Sequence, residues 1–275
     1  MPDLQCNGLR VDLRFPAIMG ILNATPDSFS DGGLYFDPAQ AVERAHRMIE
    51  EGASIIDLGG ESTRPGSQPV PVKEELSRVM PILQALPKDR FLISIDSRNR
   101  ETQQAALDEG AHLVNDVSGG SEALLDLAEE RQAGLVLMHA QGDPRNMQDD
   151  PSYGNVVEEV KAFFDAKKDA IRRRNLPKVW IDPGIGFGKT LGHNLELMQN
   201  LEQLMDPAWG VLIGASRKSW IEKLTGAAIE ERLPGSLVAA VHAVAQGTEV
   251  IRTHDVLETA QAIKVGLALT PSPKT

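Results

Sequence analysis

The chain has one cysteine, Cys6, in 275 residues. It can therefore form no internal disulfide and no cysteine-built metal cluster. No apolar run approaches the roughly 18 residues that a membrane-crossing helix needs. The opening MPDLQCNGLR lacks the basic-then-apolar layout of a secretory leader, which implies a cytoplasmic protein. Basic residues are in the minority, with 28 Lys and Arg against 39 Asp and Glu and a formal net charge of −11. Such a surface disfavours nucleic acid and anionic membranes as partners. It still permits an anionic substrate wherever the few cations gather. No pair of histidines has the spacing of a zinc-binding helix, and no linker or low-complexity stretch divides the chain. Residues 1–275 therefore read as one domain.

Hydrophobic residues make up 41 % of the chain, enough for a substantial core, and charged residues 24 %. Eight short apolar runs stand out, at 18–22, 55–58, 91–95, 112–114, 134–138, 179–181, 211–213 and 249–251. Between them, 39–51, 73–86, 101–109, 123–131, 156–174, 194–205, 234–246 and 257–267 carry apolar residues at helical steps. Strand–helix alternation repeated eight times predicts an α/β fold, a (β/α)₈ TIM barrel, for which about 250 residues is typical. Ahead of it, 4–6 and 9–13 around Asn7-Gly8 predict a short β-hairpin, able to plug the N-terminal end of the barrel or to hang from it as a loose leader. Gly52, Gly110, Gly134 and Gly247 stand where helices should turn into strands.

Polar residues follow every apolar run: Asn23, Thr25 and Asp27; Glu61, Thr63 and Arg64; Asp96-Ser97; Asn115-Asp116; His139; Asp182; Ser216-Arg217-Lys218; and Arg252, His254 and Asp255. One such residue could simply cap the next helix. Eight successive cases mark the C-terminal face, where barrel enzymes place their sites. Arg64, Arg217, Lys218, Arg252 and His254 would give that face a cationic rim for a phosphate or diphosphate. Segments 23–37 and 59–71 are long and rich in Gly, Pro and turn residues, as loops that close over a substrate often are. DPGIGFGKT, 182–190, misses the P-loop pattern because Pro183 stands where a glycine is required. It reads instead as a loop that brings backbone and Phe187 close to a planar ligand. His46, His112 and His242 read as helix or junction residues, and His139 as either core or site. Ser216 and Ser219 have no recognisable triad partner.

The blocks IMGILNATPDSFSDGG, DLGGESTRPG, SIDS, HLVNDVSGG, LVLMHAQGDPRNMQ, DPGIGFGKTLGHN, GASRKSWI and IRTHDV occur in this order over nearly the whole chain. In them the chain resembles the dihydropteroate synthases of folate biosynthesis. That resemblance implies a barrel, usually a homodimer, that joins (7,8-dihydropterin-6-yl)methyl diphosphate to 4-aminobenzoate. It implies a pterin site of Asp96, Asn115, Met138, Asp182, Gly214, Lys218 and Arg252, with Asp96, Lys218 and Arg252 catalytic. Asn23, Thr63, Arg252 and His254 would hold the diphosphate, and Asn23 would contact Mg²⁺. Thr63, Arg64, Pro65, Phe187, Lys218 and Ser219 would surround the aminobenzoate, its carboxylate near the start of the helix after Ser219. Ala24, Ser97, Ala140, Ile185 and Ala215 depart from the residues common in relatives; none removes a charged or hydrogen-bonding group, and they bear on sulfonamide sensitivity. The alternatives are a non-catalytic pterin-binding paralogue and a folate-dependent methyltransferase domain working with a corrinoid partner.

Overall fold

The computed structural model of the chain describes residues 3–24, 38–61, 68–142, 147 and 149–269. An antiparallel hairpin of β1 (Asp3–Cys6) and β2 (Leu9–Asp12) comes first. Eight parallel strands follow: β3 (Ala17–Asn23), β4 (Ile55–Gly59), β5 (Leu92–Asp96), β6 (Leu113–Asp116), β7 (Gly134–Met138), β8 (Val179–Asp182), β9 (Gly210–Ile213) and β10 (Val250–Thr253). They pair in chain order, and β10 returns to β3 to close the barrel. The connecting helices are α1 (Pro38–Glu50), α2 (Val72–Ala85), α3 (Arg100–Asp108), α4 (Glu122–Arg131), α5 (Val156–Asp165), α6 (Lys168–Arg172), α7 (Leu191–Gln199), α8 (Ser219–Thr225), α9 (Leu233–Ala245) and α10 (Val256–Leu269). The expected (β/α)₈ barrel with an N-terminal hairpin is thus the observed fold.

Alternation along each strand sorts its side chains into two layers. Ile18, Leu22, Ile56, Leu58, Ile93, Ile95, Val114, Leu135, Leu137, Ile181 and Ile213 pack outward against the helices. Met19, Ile55, Leu92, Leu113, Val136, Trp180, Leu212 and Val250, one from each strand, form a separate interior cluster with Leu4, Cys6 and Leu13. The hairpin is therefore a plug and not a loose leader. Asn7 at its tip reinforces this, its side chain donating to Leu107 O at 2.9 Å and Ala111 O at 2.7 Å. Two residues further along the same inner face, the series becomes Ile21, Asp57, Ser94, Asn115, Met138, Asp182, Gly214 and Arg252. The barrel interior is apolar in its lower half and predominantly polar above.

Three local expectations need correction. The helix predicted over 156–174 is two, because Lys167 N bonds back three residues to Phe164 O at 2.9 Å and tightens the turn between α5 and α6. The helix predicted over 194–205 begins earlier, where Thr190 caps α7, and ends at Gln199, followed by a 3₁₀ turn at Leu201–Leu204. Gly52, Gly110 and Gly247 do adopt positive φ, but after α4 the left-handed residue is Gln132 at φ 50°. Gly134 serves close packing instead, since a Cβ there would come within 2.4 Å of Leu113 Cδ2.

Candidate active site

Arg252 organises the upper interior. Its Nε donates to Asp57 Oδ2 at 2.6 Å and its Nη2 to Asp96 Oδ2 at 2.6 Å. Asn115 Nδ2 donates to the same Asp57 oxygen at 2.9 Å. Strand register supports this: Asn23 is level with Gly59, Gly59 with Asp96, and Asp96 with Asn115. The other oxygens, Asp57 Oδ1 and Asp96 Oδ1, are buried without a partner among the described residues. Two unsatisfied acceptors in one chamber are costly unless a ligand's N–H groups meet them. Burial pushes the Asp96 carboxyl up to about 7; Arg252 opposes that rise, and the carboxylates of Asp57, Glu75 and Asp116 add to it. Arg252 is half-buried, and although desolvation opposes it, Asp57 and Asp96 raise its pKa further above the ordinary guanidinium value.

Sequence reading missed Asp57, which it counted inside the second apolar run. The available signal was the spacing of Ile55, Asp57 and Gly59, which places an acid on the inner face of a strand whose outer face is wholly apolar.

Across the chamber, β8 ends in Asp182, level with Met138 of β7. Asp182 Oδ1 accepts from Gly184 N at 2.7 Å, which turns the chain sharply into the glycine-rich segment. Lys218 Nζ donates to Ile185 O and stands 4.5 Å from the centre of the Phe187 ring, a cation–π distance. Burial draws the Lys218 ammonium down to about 8, against the attraction of Asp182. Gly214 lies amid these groups: a Cβ there would meet Asp182 Oδ2 at 3.7 Å, Arg252 Cβ at 3.8 Å and Lys218 Nζ at 3.8 Å. The structure therefore gathers Asp96, Asn115, Asp182, Gly214 and Lys218 about Arg252 at the strand ends, with Met138 level with Asp182.

At the rim, His254 Nδ1 is 3.1 Å from Ser216 Oγ, and the His254 amide donates to the same hydroxyl at 3.3 Å. Asn23 is half-buried at the end of β3. Ser219 is exposed as the first residue of α8, a helix of seven residues, so anion attraction there falls to Lys218 and the hydroxyl more than to a helix dipole. Arg217 does not join the rim cations: its Nε donates to Asp255 Oδ2 at 2.8 Å in a two-pronged pair that also consumes Asp255. Asp116 and Glu61 likewise serve local structure, Asp116 accepting from Ser118 and Gly120 amides and Glu61 from Arg98. Thr25, Asp27, Thr63, Arg64 and Pro65 lie outside the described residues.

His112 is a junction residue, its Nδ1 accepting from Ile93 N at 2.9 Å. His139 is buried and contacts Lys189 Nζ through Nδ1 at 3.1 Å. Among the described residues, no group of three or more His, Cys, Asp or Glu could hold a metal ion. A single amide oxygen, that of Asn23, suits only an ion whose remaining ligands come from substrate and water.

The family described as "Pterin binding enzyme" matches residues 19–254, which take in the barrel from the third residue of its first strand to the end of its last. Dihydropteroate synthase of Escherichia coli K12 is 44 % identical over 267 residues, covering 95 % of this chain and 94 % of its own. The chain belongs to the dihydropteroate synthase family. The solved Yersinia pestis dihydropteroate synthase, in a sulfonamide drug complex, superposes with a TM-score of 0.88 at 40 % identity, covering 96 % of this chain and 98 % of that one. The Xanthomonas albilineans dihydropteroate synthase in complex with 7,8-dihydropteroate gives 0.86 at 37 %, covering 99 % and 100 %. Among the described residues no helix is long and apolar enough to cross a membrane.

Proposed function

We propose that the chain is a dihydropteroate synthase, a transferase that joins (7,8-dihydropterin-6-yl)methyl diphosphate to 4-aminobenzoate and releases diphosphate. The observation that carries this is the upper barrel chamber. Asp182, Lys218 and Arg252 border Gly214, and Arg252 joins them to Asp57, Asp96 and Asn115, whose two carboxylates each keep an acceptor oxygen unpartnered among the described residues. A flat heterocycle edged with N–H donors and carrying an anionic leaving group fits that chemistry. Asp96, Asn115, Asp182 and Lys218 read the pterin, Met138 and Gly214 shape its slot, and Arg252 faces both the ring and the diphosphate. His254, Asn23 and Thr63 complete the diphosphate rim. Phe187, Lys218, Ser219, Thr63, Arg64 and Pro65 receive the aminobenzoate.

The reaction is substitution at carbon. The C–O bond to diphosphate breaks with its electron pair leaving on oxygen, and the arylamine nitrogen bonds the methylene carbon and then loses a proton. Asp96 and Asp57 lie where positive charge on the pterin is stabilised, while Arg252, Lys218 and His254 favour the departing anion. Asn23 would hold Mg²⁺ together with diphosphate oxygens; the ion, when bound, neutralises charge on the leaving group.

We also infer a homodimer, because Val238 of α9 and Val265 and Leu269 of α10 stand exposed on adjoining helices. A cytoplasmic location and one domain over the whole chain belong to the same reading.

Diphosphate release that requires both pterin diphosphate and 4-aminobenzoate, with Mg²⁺ present, tests the activity. A folded chain that binds pterin without turnover would instead be a non-catalytic paralogue, and methyl transfer to a corrinoid would make it a methyltransferase domain.

A further inference from the structure

We propose that Lys189 is a positioning residue for the aminobenzoate subsite: buried beneath the 184–188 turn, it ties the Phe187 carbonyl to His139 at the end of β7 and thereby sets the Phe187 ring. This rests on the transferase reading above and adds a residue that reading does not use.

Lys189 is 1 % exposed and among the largest fully buried side chains. Its Nζ lies 3.0 Å from Phe187 O, 3.1 Å from His139 Nδ1 and 3.4 Å from His139 O. Burial draws the Lys189 ammonium down to about 7, Asp182 opposing the fall and Lys218 adding to it; in the charged form its three N–H donors meet three acceptors. This requires His139 to accept at Nδ1. Its ring is suited to that, since burial first and the Lys189 charge second hold the imidazole pKa down to about 3. Burying a lysine costs solvation that an apolar side chain of similar length would not. What the lysine supplies, and an apolar residue would not, is a directional tie between two strand ends.

The turn it holds has little freedom to shift elsewhere. Gly184 at φ +71° and Gly188 at φ +59° lie directly on the 139–141 segment, where a Cβ would fall 1.9 Å from His139 O and 2.3 Å from Gln141 O. Gly186 N is held by Asn194 Oδ1 at 2.7 Å, and Gly188 O by Tyr153 at 3.0 Å. Those two bonds fix the turn at Gly186 and Gly188; Lys189 fixes the Phe187 carbonyl between them. Phe187 is the residue whose ring meets Lys218 Nζ, and Ile185 of the same turn accepts from that ammonium. Release of the Phe187 carbonyl lets the ring move away, while Lys218 keeps its bond to Ile185 O and Asp96, Asn115 and Asp182 keep their places on the strands. The effect should thus fall on one substrate and spare the other.

The test is steady-state kinetics and calorimetry on the full chain. Lys189→Met is expected to raise the KM for 4-aminobenzoate roughly tenfold or more, as small misplacements of positioning groups do. Affinity for pterin diphosphate, measured without the second substrate, stays at the wild-type value. Added to Phe187→Ala, Lys189→Met should raise that KM no further, because both act through one ring. A folded Lys189→Met variant with wild-type KM overturns the proposal, as do independent, multiplying effects in the double variant. If Lys189→Met fails to fold, His139→Phe decides: it removes the Nδ1 acceptor but keeps a ring against Phe163, now 5.0 Å away. It should raise the same KM by a smaller factor, and an unchanged KM overturns the role. A wild-type chain that releases no diphosphate overturns the transferase reading and this role with it; wild-type turnover without the KM effect overturns the role alone.

Discussion

Arg252 Nε donates to Asp57 Oδ2 at 2.6 Å, joining residues 195 positions apart. Their strands are not neighbours: β10 pairs with β3, and β3 with β4, so the bond reaches past β3 inside the barrel. One guanidinium thus serves Asp57 and Asp96 together, and Asn115 shares the Asp57 oxygen. The four side chains form one unit, and a change in Asp57 should be felt by residues that touch substrate.

Asp57→Ala leaves Arg252 with one carboxylate and the Asn115 amide without its acceptor. Breaking a buried, hydrogen-bonded pair of this kind costs about 2–4 kcal/mol. The midpoint of urea unfolding should fall accordingly, and kcat/KM for pterin diphosphate should drop roughly a hundredfold through misplaced electrostatics. Asp57→Asn, which keeps an acceptor oxygen, should cost less stability. An unchanged midpoint in Asp57→Ala would show that the pair contributes nothing to the fold.

The pH dependence has a definite sign. Asp96, raised from 3.8 to about 7, is protonated below neutrality and ionised above it. Lys218, lowered from 10.5 to about 8, loses its charge just above. If Asp96 acts as the carboxylate and Lys218 as the ammonium, kcat/KM for pterin diphosphate rises through about pH 7 and falls beyond about pH 8. In Asp96→Asn the acid limb should flatten. Stability runs the opposite way for Asp96: the folded state holds its proton more tightly, so that contribution is complete below about pH 4 and lost as pH rises through about 7. A flat rate profile between pH 6 and 9 would contradict both assignments (the window is about one pH unit either side of the two midpoints).

Gly214→Ala separates space from stability. The added Cβ meets Asp182, Arg252 and Lys218 at ordinary contact distances, 3.7–3.8 Å, so the thermal midpoint should stay near wild type. The methyl group occupies the opening between those residues, and pterin affinity should fall roughly tenfold or more, since there is little room to yield. Calorimetry with a pterin lacking the diphosphate isolates the effect. Wild-type affinity would place the pterin elsewhere.

Chelation tests the metal. EDTA should abolish diphosphate release, Mg²⁺ should restore it, and Asn23→Ala should raise the Mg²⁺ concentration needed while leaving binding of a diphosphate-free pterin unchanged. Full turnover in EDTA would remove Mg²⁺ and the Asn23 role together.

The barrel was legible because its eight strands are short apolar runs with polar ends, and the spacing of helical faces between them is regular. Asp96, Asn115, Asp182, Lys218 and Arg252 are legible as polar residues at strand ends, but only the family resemblance singles them out from the others there. Asp57 is not legible in this way, because it lies mid-strand, and the rule that polar residues belong at the ends passes over an acid on the inner face. Arg217 was misread for the reverse reason. Its position in sequence matches the rim, but its partner Asp255 is 38 residues away and becomes visible only when β9 and β10 are side by side. Lys189 gave no signal beyond a glycine-rich motif that points to another fold. The 156–174 segment kept its helical period across a break that a single local backbone turn introduces.

Cys6 lies between the hairpin and the lower barrel, fully buried, its thiol pushed up to about 12 by burial and tempered by the Gly134 backbone. At neutral pH almost none of it is thiolate, and no reagent has a path to it while the hairpin is seated. The native protein should therefore be silent toward alkylating probes, and the rate at which that silence ends reports the opening of the barrel floor. The same silence gives a blank background for chemical labelling. A dye attached through Ser219→Cys would mark the mouth at a single position, with no need to replace the natural thiol.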